Sequence, residues 1–314
     1  MRKPHILVIM TEGLQHSPAL LRAVSLARRM GAALQLRSFE YLRSLDQAAG
    51  RGFDLDAYLV GRRAKLEQFA AGLRREGVQV DCAVVWGHPI AERILLEVLA
   101  LRPELVVKDV PHYRDPSREY LGGLDWHLLG QCPAPLMLVH PRSPSLPRRI
   151  LAAVDPLDEH GKPHELNHGI LRTARALAEQ CDAELDVMTA FEYFPVAGDA
   201  EYAGLMPDLT LYDELRKVQA EGLYRLCKDH GVPPSNMHVV DGPAARRITD
   251  FASDRHSDLV VMGSIYRKGL KRLFLGSSAE GVFDTLPCDV LLMKPEGFAE
   301  ELQASLESGK AKAA

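Results

Sequence analysis

The sequence predicts an α/β protein built from two doubly wound domains in one chain, each around a five-stranded parallel sheet. Three observations carry this: landmark segments recur in the same order, short β-branched runs alternate with amphipathic stretches, and those runs are apolar throughout. At 314 residues the chain is long for one domain and about right for two.

The repeat is read from five landmarks. PHILVIMTE (Pro4 to Glu12) sets against RRILAAVDP (Arg148 to Pro156), so that Ile6 falls on Ile150 and Thr11 on Asp155, an offset of 144. PELVVKD aligns with SDLVVMG, and CPAPLMLVHP with LPCDVLLMKP, both at an offset of 154. FEY recurs at Phe39 and Phe191, and a strand closing on glycine recurs as VVWGHP (Gly87) and VVDGPA (Gly242).

In the second copy the strands read RILAAV, ELDVMTA, MHVV, DLVVM and DVLLM. The helices between them are expected near residues 164–180, 212–230, 244–255 and 278–286. Strands apolar at every position, rather than at alternate ones, belong to parallel sheets covered on both faces. Right-handed crossovers then make each copy doubly wound. The three prolines and two serines of HPRSPSLPRR, His140 to Arg149, break the pattern. The domains are therefore set at 1–142 and 148–296, and the polar stretch 297–314 is expected to be disordered.

Composition narrows the function. Apolar content of 46%, charged content of 25% and a net charge of -4 fit a globular protein without a nucleic-acid-binding surface. The apolar run Ile6 to Met10 is too short for a signal peptide, and no window approaches the roughly 18 apolar residues of a membrane helix. A cytoplasmic protein is expected. Five scattered cysteines without a CxxC point to neither a disulfide framework nor a zinc ribbon.

In an open doubly wound sheet, ligands bind beyond the carboxyl ends of the strands where strand order reverses. In the second copy Asp155 follows the first strand and Gly263 the fourth. A carboxylate there can accept from a ribose hydroxyl or an adenine amine, while Gly263 lets a backbone come close to a ligand. The amides of Gly276, Ser277 and Ser278 open a helix, a favourable place for an anion. Arg267, Lys268, Lys271 and Arg272 add positive charge with no acid before Glu280. Singly, a turn, an N-cap and a solvated basic face explain these residues; together they favour a polyphosphate site.

DLVVMGSIYRKGLKRLFLGSSAEGVFDTLPCDVLLMKP resembles the carboxyl-terminal signature of the universal stress protein family, whose nucleotide-binding members carry Gly-x2-Gly-x9-Gly-Ser/Thr. VVKDV and DWHLLGQCPAPLMLV resemble the amino-terminal half of the family's tandem members. The resemblance covers nearly the whole chain. It implies a flavodoxin-like, Rossmann-like fold with strand order 3-2-1-4-5, two domains docked as a pseudo-dimer through their fifth strands, a cytoplasmic location and a stress-response role without catalysis. It also implies an ATP-type adenine nucleotide, with magnesium as its counter-ion, as the ligand. Asp155 then matches the aspartate near adenine or ribose, Val187 and Met188 the second strand whose backbone frames adenine, and Gly242 the glycine closing the third strand. Gly263, Gly276 and Ser277 match the outer parts of the signature. Tyr266 stands where the family has its middle glycine, and its ring stacks on the ligand, blocks the phosphates, or stands aside while Gly269 supplies the turn. In the first copy the signature falls on Asp109, His112, Gly122 and Gly123, and Thr11 lacks the carboxylate. A negative charge at Asp109 argues against ATP there.

Two further features stay open. His160, His164 and His168, spaced by four, could align for a metal such as zinc, but Gly161 and Pro163 favour surface histidines at a helix start. The long stretch after Phe191, with Leu205, Met206 and Leu209, is a surface loop or a lid. No GxSxG, HExxH or GxxxxGK[ST] is present, so no catalytic residues are assigned. The alternatives are slow ATP hydrolysis and binding of another anionic or lipid-like metabolite through the loop after Phe191. Further self-association of the chain is left open.

Overall fold

The computed structural model describes residues 3–10, 17–41, 54–110, 123–157, 164–192, 209–264, 282, 286 and 288–313. The first copy contributes β1 (His5–Met10), α1 (Pro18–Met30), β2 (Ala33–Glu40), α2 (Leu55–Arg75), β3 (Val80–Trp86), α3 (Ile90–Leu101), β4 (Leu105–Asp109), α4 (Gly123–Gln131) and β5 (Leu136–Val139). The second contributes β6 (Arg149–Ala153), α5 (His164–Cys181), β7 (Glu184–Phe191), α6 (Leu209–Asp229), β8 (Met237–Asp241), α7 (Ala244–Asp254), β9 (Leu259–Gly263), β10 (Asp289–Met293) and α8 (Phe298–Ala313).

The ten strands among the described residues form one sheet in the order β3-β2-β1-β4-β5-β10-β9-β6-β7-β8. Each half thus reads 3-2-1-4-5, and the halves meet tail to tail. Within each half the described pairings are parallel, and β10 pairs with β5 antiparallel. At this seam Leu291 lies opposite Met137, and those two residues are also each other's counterpart at the repeat offset of 154. The pseudo-twofold axis therefore runs through that pair. Pairing the fifth strands removes two open sheet edges.

The apolar strands are explained by two cores, one on each face. Alternate residues of one strand enter different cores: Ile6 and Val8 one, Leu7 and Ile9 the other. Both cores run through both halves, since Ile6 and Ile150 share the first, and Leu7 and Leu151 the second. The helices on the first face include α1 and α5, which touch each other across the seam.

The seam also buries charge. Arg22 of α1 and Asp289 of β10 are both fully buried, with Nη2 and Oδ2 2.6 Å apart. Asp289 accepts in addition from the His140 N–H at 2.8 Å and from the Ser143 hydroxyl, so the proline-rich connection is tied to β10. Burial pushes the Asp289 carboxyl up to about 6, against the pull of Arg22 and these two donors.

The expectation of a disordered tail is overturned. Residues Phe298–Ala313 form α8, whose Phe298 and Leu302 are 4% and 6% exposed and belong to the second core. The apolar spacing Phe298, Leu302, Leu306 puts these residues on one face, which the polar composition of the stretch concealed. Among the described residues no helix is long and apolar enough to cross a membrane.

Removing one member of a buried ion pair leaves the other uncompensated, at a cost of about 3–5 kcal/mol. Asp289→Ala should therefore lower stability by about that amount in urea denaturation, whereas the double variant Arg22→Met, Asp289→Leu should recover most of it.

Candidate functional site

The order reversal of the second half falls between β6 and β9, which pair with Ala153 opposite Met262. Asp155 lies two residues beyond the first of these and Gly263 one beyond the second, so the fold places the two on neighbouring strand ends. Tyr266, Arg267, Gly269, Gly276, Ser277 and Ser278 lie outside the described residues, as do His160 and the side chain of His164.

The segment after β6 is held on two sides. Asn167, in the first turn of α5, accepts from the Asp155 N–H at 3.2 Å, and its amide donates to the Asp155 carbonyl at 2.5 Å. From the other side Gly222 of α6 faces Pro156 and Leu157: a Cβ there would lie 3.2 Å from Leu157 Cδ2. The glycine of α6 thus makes room for the residues that follow Asp155.

Gly263 has a neighbour that the sequence did not reveal. A Cβ on it would meet Leu166 Cδ2 at 2.8 Å and Ile170 Cδ1 at 3.2 Å, both from α5. The close approach seen at this glycine is therefore that of a packed helix. Val187 and Met188 lie on the second strand of this half, as expected. Both are fully buried, one in each core, and they pair in mid-strand with β6 and β8. Because Met188 is opposite Ala153, the β7 residue level with Asp155 is Ala190. The carboxyl edge of β7 is thus Ala190 and Phe191, with Val187 and Met188 further back along the strand. Gly242 closes β8 at φ 124°, donating its N–H to the Phe191 carbonyl at 2.8 Å.

Ser264 begins the chain that leaves β9. Its hydroxyl accepts from Lys294 Nζ at 2.8 Å, and the same amine donates to the Leu129 carbonyl of α4 in the first half. Burial pushes the Lys294 amine down to about 8. One lysine therefore links the start of the candidate phosphate loop to the other domain.

In the first half, Asp109 faces the start of α1. Its carboxylate accepts from the Ala19 N–H at 2.7 Å and from the Ser17 hydroxyl, at the N-terminus of α1. The anion favoured by that helix end is supplied by the protein itself. Beside it Lys108 and Asp125, 3% and 1% exposed, form a second buried ion pair at 2.6 Å.

Sequence reasoning missed a tyrosine–arginine pair that recurs in both halves and meets an acid at a strand end, Glu40 of β2 in one and Asp241 of β8 in the other. Tyr58 and Arg62 of α2 both donate to Glu40, at 3.0 and 2.7 Å. Their counterparts at the same offset of 154, Tyr212 and Arg216 of α6, meet Asp241, with Arg216 Nε 2.9 Å from Oδ1. Burial opposes ionisation of Asp241, yet the hydrogen bonds from Tyr212 and Arg216 hold its carboxyl below the usual range. The matching Tyr-x3-Arg spacing in both copies was the available signal.

Of the histidine trio, only the side chain of His168 lies among the described residues. His168 Nδ1 lies 2.8 Å from Nε2 of His230, at the end of α6, and among the described residues no group of three potential ligands surrounds a metal position.

The sequence pattern of one family matches the chain twice, over residues 4–140 and 147–294. The chain belongs to the universal stress protein family. It is similar to universal stress protein E of Escherichia coli K12, with 28% identity over 300 residues covering 94% of this chain and 95% of that one. It also resembles the universal stress protein E homolog of Haemophilus influenzae, at 25% identity over 94% of this chain and 98% of the relative. Among solved structures, a putative universal stress protein of Pseudomonas aeruginosa UCBPP-PA14 superposes with a TM-score of 0.77 at 26% identity, covering 96% of this chain and 97% of the other. A functionally unknown protein of Pseudomonas aeruginosa PAO1 does so at 0.78 and 25%, over 98% of each chain. Two universal stress protein domains in one chain are thus the plan shared with these relatives, and membership supports a stress-response role.

Two substitutions test the packing around the crevice. Gly263→Val should push α5 off β9 and destabilise the protein by about 1–3 kcal/mol in urea melts. Asp109→Ala should cost about 1–2 kcal/mol by stripping the α1 cap, with Asp109→Asn costing less.

Proposed function

We infer that the protein is a non-catalytic, cytoplasmic stress-response factor whose second domain binds an adenine nucleotide, with magnesium as counter-ion, in the crevice between β6 and β9. The observation that carries this reading is the adjacency of Asp155 to the end of β9 at the order reversal. From there the chain enters the basic segment holding Tyr266, Arg267 and Gly269 and closing on Gly276, Ser277 and Ser278. The Asp155 carboxylate would accept from ribose or adenine. The loop amides and basic side chains would hold the phosphates. The first domain, with Asp109 seated on its own helix end, would serve as scaffold.

A second reading, an acylated or other lipid-like anion, draws support from α6. Its Leu211, Leu215 and Val218 are 42%, 38% and 45% exposed at helical spacing, beyond the segment that follows Phe191.

Calorimetric titration with ATP, with and without magnesium, separates these readings. Binding that weakens at least about tenfold in Asp155→Ala is expected, one decade being about 1.4 kcal/mol. Tyr266→Gly should strengthen ATP relative to AMP if the ring gates the phosphates. No heat at millimolar ATP, or unchanged affinity in Asp155→Ala, would sink the nucleotide reading. An acylated molecule retained through purification would replace it with the second. Phosphate release that follows the protein and disappears in Ser277→Ala would make the site a slow ATPase.

A further inference from the structure

His168 of α5 and His230, one residue past α6, form a contact between titratable groups of the two helices that flank the segment after β6. Asn167 of α5 grips the backbone of Asp155, and the next residue, His168, reaches across to α6. On α6, Gly222 accommodates Pro156 and Leu157. The rings of His168 and His230 are 5.1 Å apart and tilted by 42°, and both side chains are half-buried, so protons can reach them from solvent.

A hydrogen bond between two imidazole nitrogens uses one proton: one nitrogen donates and the other accepts. The contact therefore requires at least one neutral ring. When both rings are protonated the bond is lost and two positive charges face each other. The surroundings add to that repulsion. Arg172 and Arg175 of α5 lie close to His230, Arg175 donates to the His230 carbonyl, and among the described residues Asp229 is the acid acting the other way. Burial first, then His168 and the two arginines, push the His230 ring below the ordinary histidine range.

We propose that the His168–His230 contact is a pH-operated latch: closed at neutral pH, it holds the first turns of α5 against α6 and so fixes Asp155 in the crevice, and double protonation in mild acid releases it. Because the folded protein resists a proton that the unfolded chain accepts, the latch contributes stability above the ordinary histidine pKa and loses it as pH falls below that value. The same release moves Asn167 and Leu166, so Asp155 and the packing on Gly263 loosen together. The latch rests on the proposed nucleotide site only for its effect on ligand binding.

The experiment has two readouts. Amide hydrogen exchange at Asp155, corrected for intrinsic rates, should show protection falling about tenfold between pH 7.5 and 5.5 in the unliganded protein, a fold-change typical of such couplings. In His230→Gln, whose amide can hydrogen-bond without titrating, protection should stay within about twofold over that range, where a fold-change of two is well below the coupling expected. ATP affinity should show the same contrast between the two proteins, with the titration of the ligand itself cancelling in the comparison. Equal pH dependence of Asp155 protection in wild type and His230→Gln overturns the latch, as does retention of full protection at pH 5.5. If His230→Gln fails to fold, His168→Asn supplies the same comparison from the other side. Protection that titrates as expected in a protein that binds no ATP supports the latch and removes the nucleotide reading.

Discussion

The buried pair Arg22 and Asp289 constrains the rest of the molecule. The β5 and β10 seam is short, with three matched residue pairs, and could in principle be formed by two like domains. The ion pair forbids that. At the repeat offset of 154 the counterpart of Asp289 is Pro135, and aligning Leu26-Ala27 with Leu177-Ala178 places Thr173 opposite Arg22. Two first halves docked alike would bury two guanidinium groups and no carboxylate. Two second halves would bury the reverse. Uncompensated charge in a closed core is costly enough to make the pairing of unlike halves the stable one.

The two halves also differ at their strand ends. In the first, the space where an anion would sit against a helix end holds Asp109, and the Lys108–Asp125 pair fills the region beside it. In the second, no acid replaces Gly263, and the strand end is backed by Leu166 and Ile170. The first turns of α5 therefore serve both walls of the crevice, through Asn167 on one side and apolar packing on the other. Lys294 carries the connection onward, joining Ser264 to the α4 carbonyl of the other half.

Much of the fold was legible because it rests on local periodicity. The five strands expected in the second copy match those observed to within one residue at each end, and the helix expected over 244–255 spans Ala244–Asp254. What escaped was governed by contacts between distant segments. The stretch after 297 looked like a polar tail because the few apolar residues of α8 matter only against the second core. The register with β6, which sets Val187 and Met188 three residues or more before the end of β7, was likewise not written in the strand's own residues. The adjacency of Asp155 and Gly263 followed from the order reversal, while Asn167 and His230 carried no local mark at all.

By itself the sequence determined the duplication, the two-sided burial of its strands and the loss of family motif residues at Thr11 and Asp109, since each is written in residue type and spacing. Only the tertiary structure decided what the polar groups do: that Asp109 caps a helix, that Arg22 finds Asp289, and that His168 meets His230. Hydrophobic periodicity is a property of neighbours along the chain, whereas the partner of a buried charge or an imidazole is set by how whole elements pack.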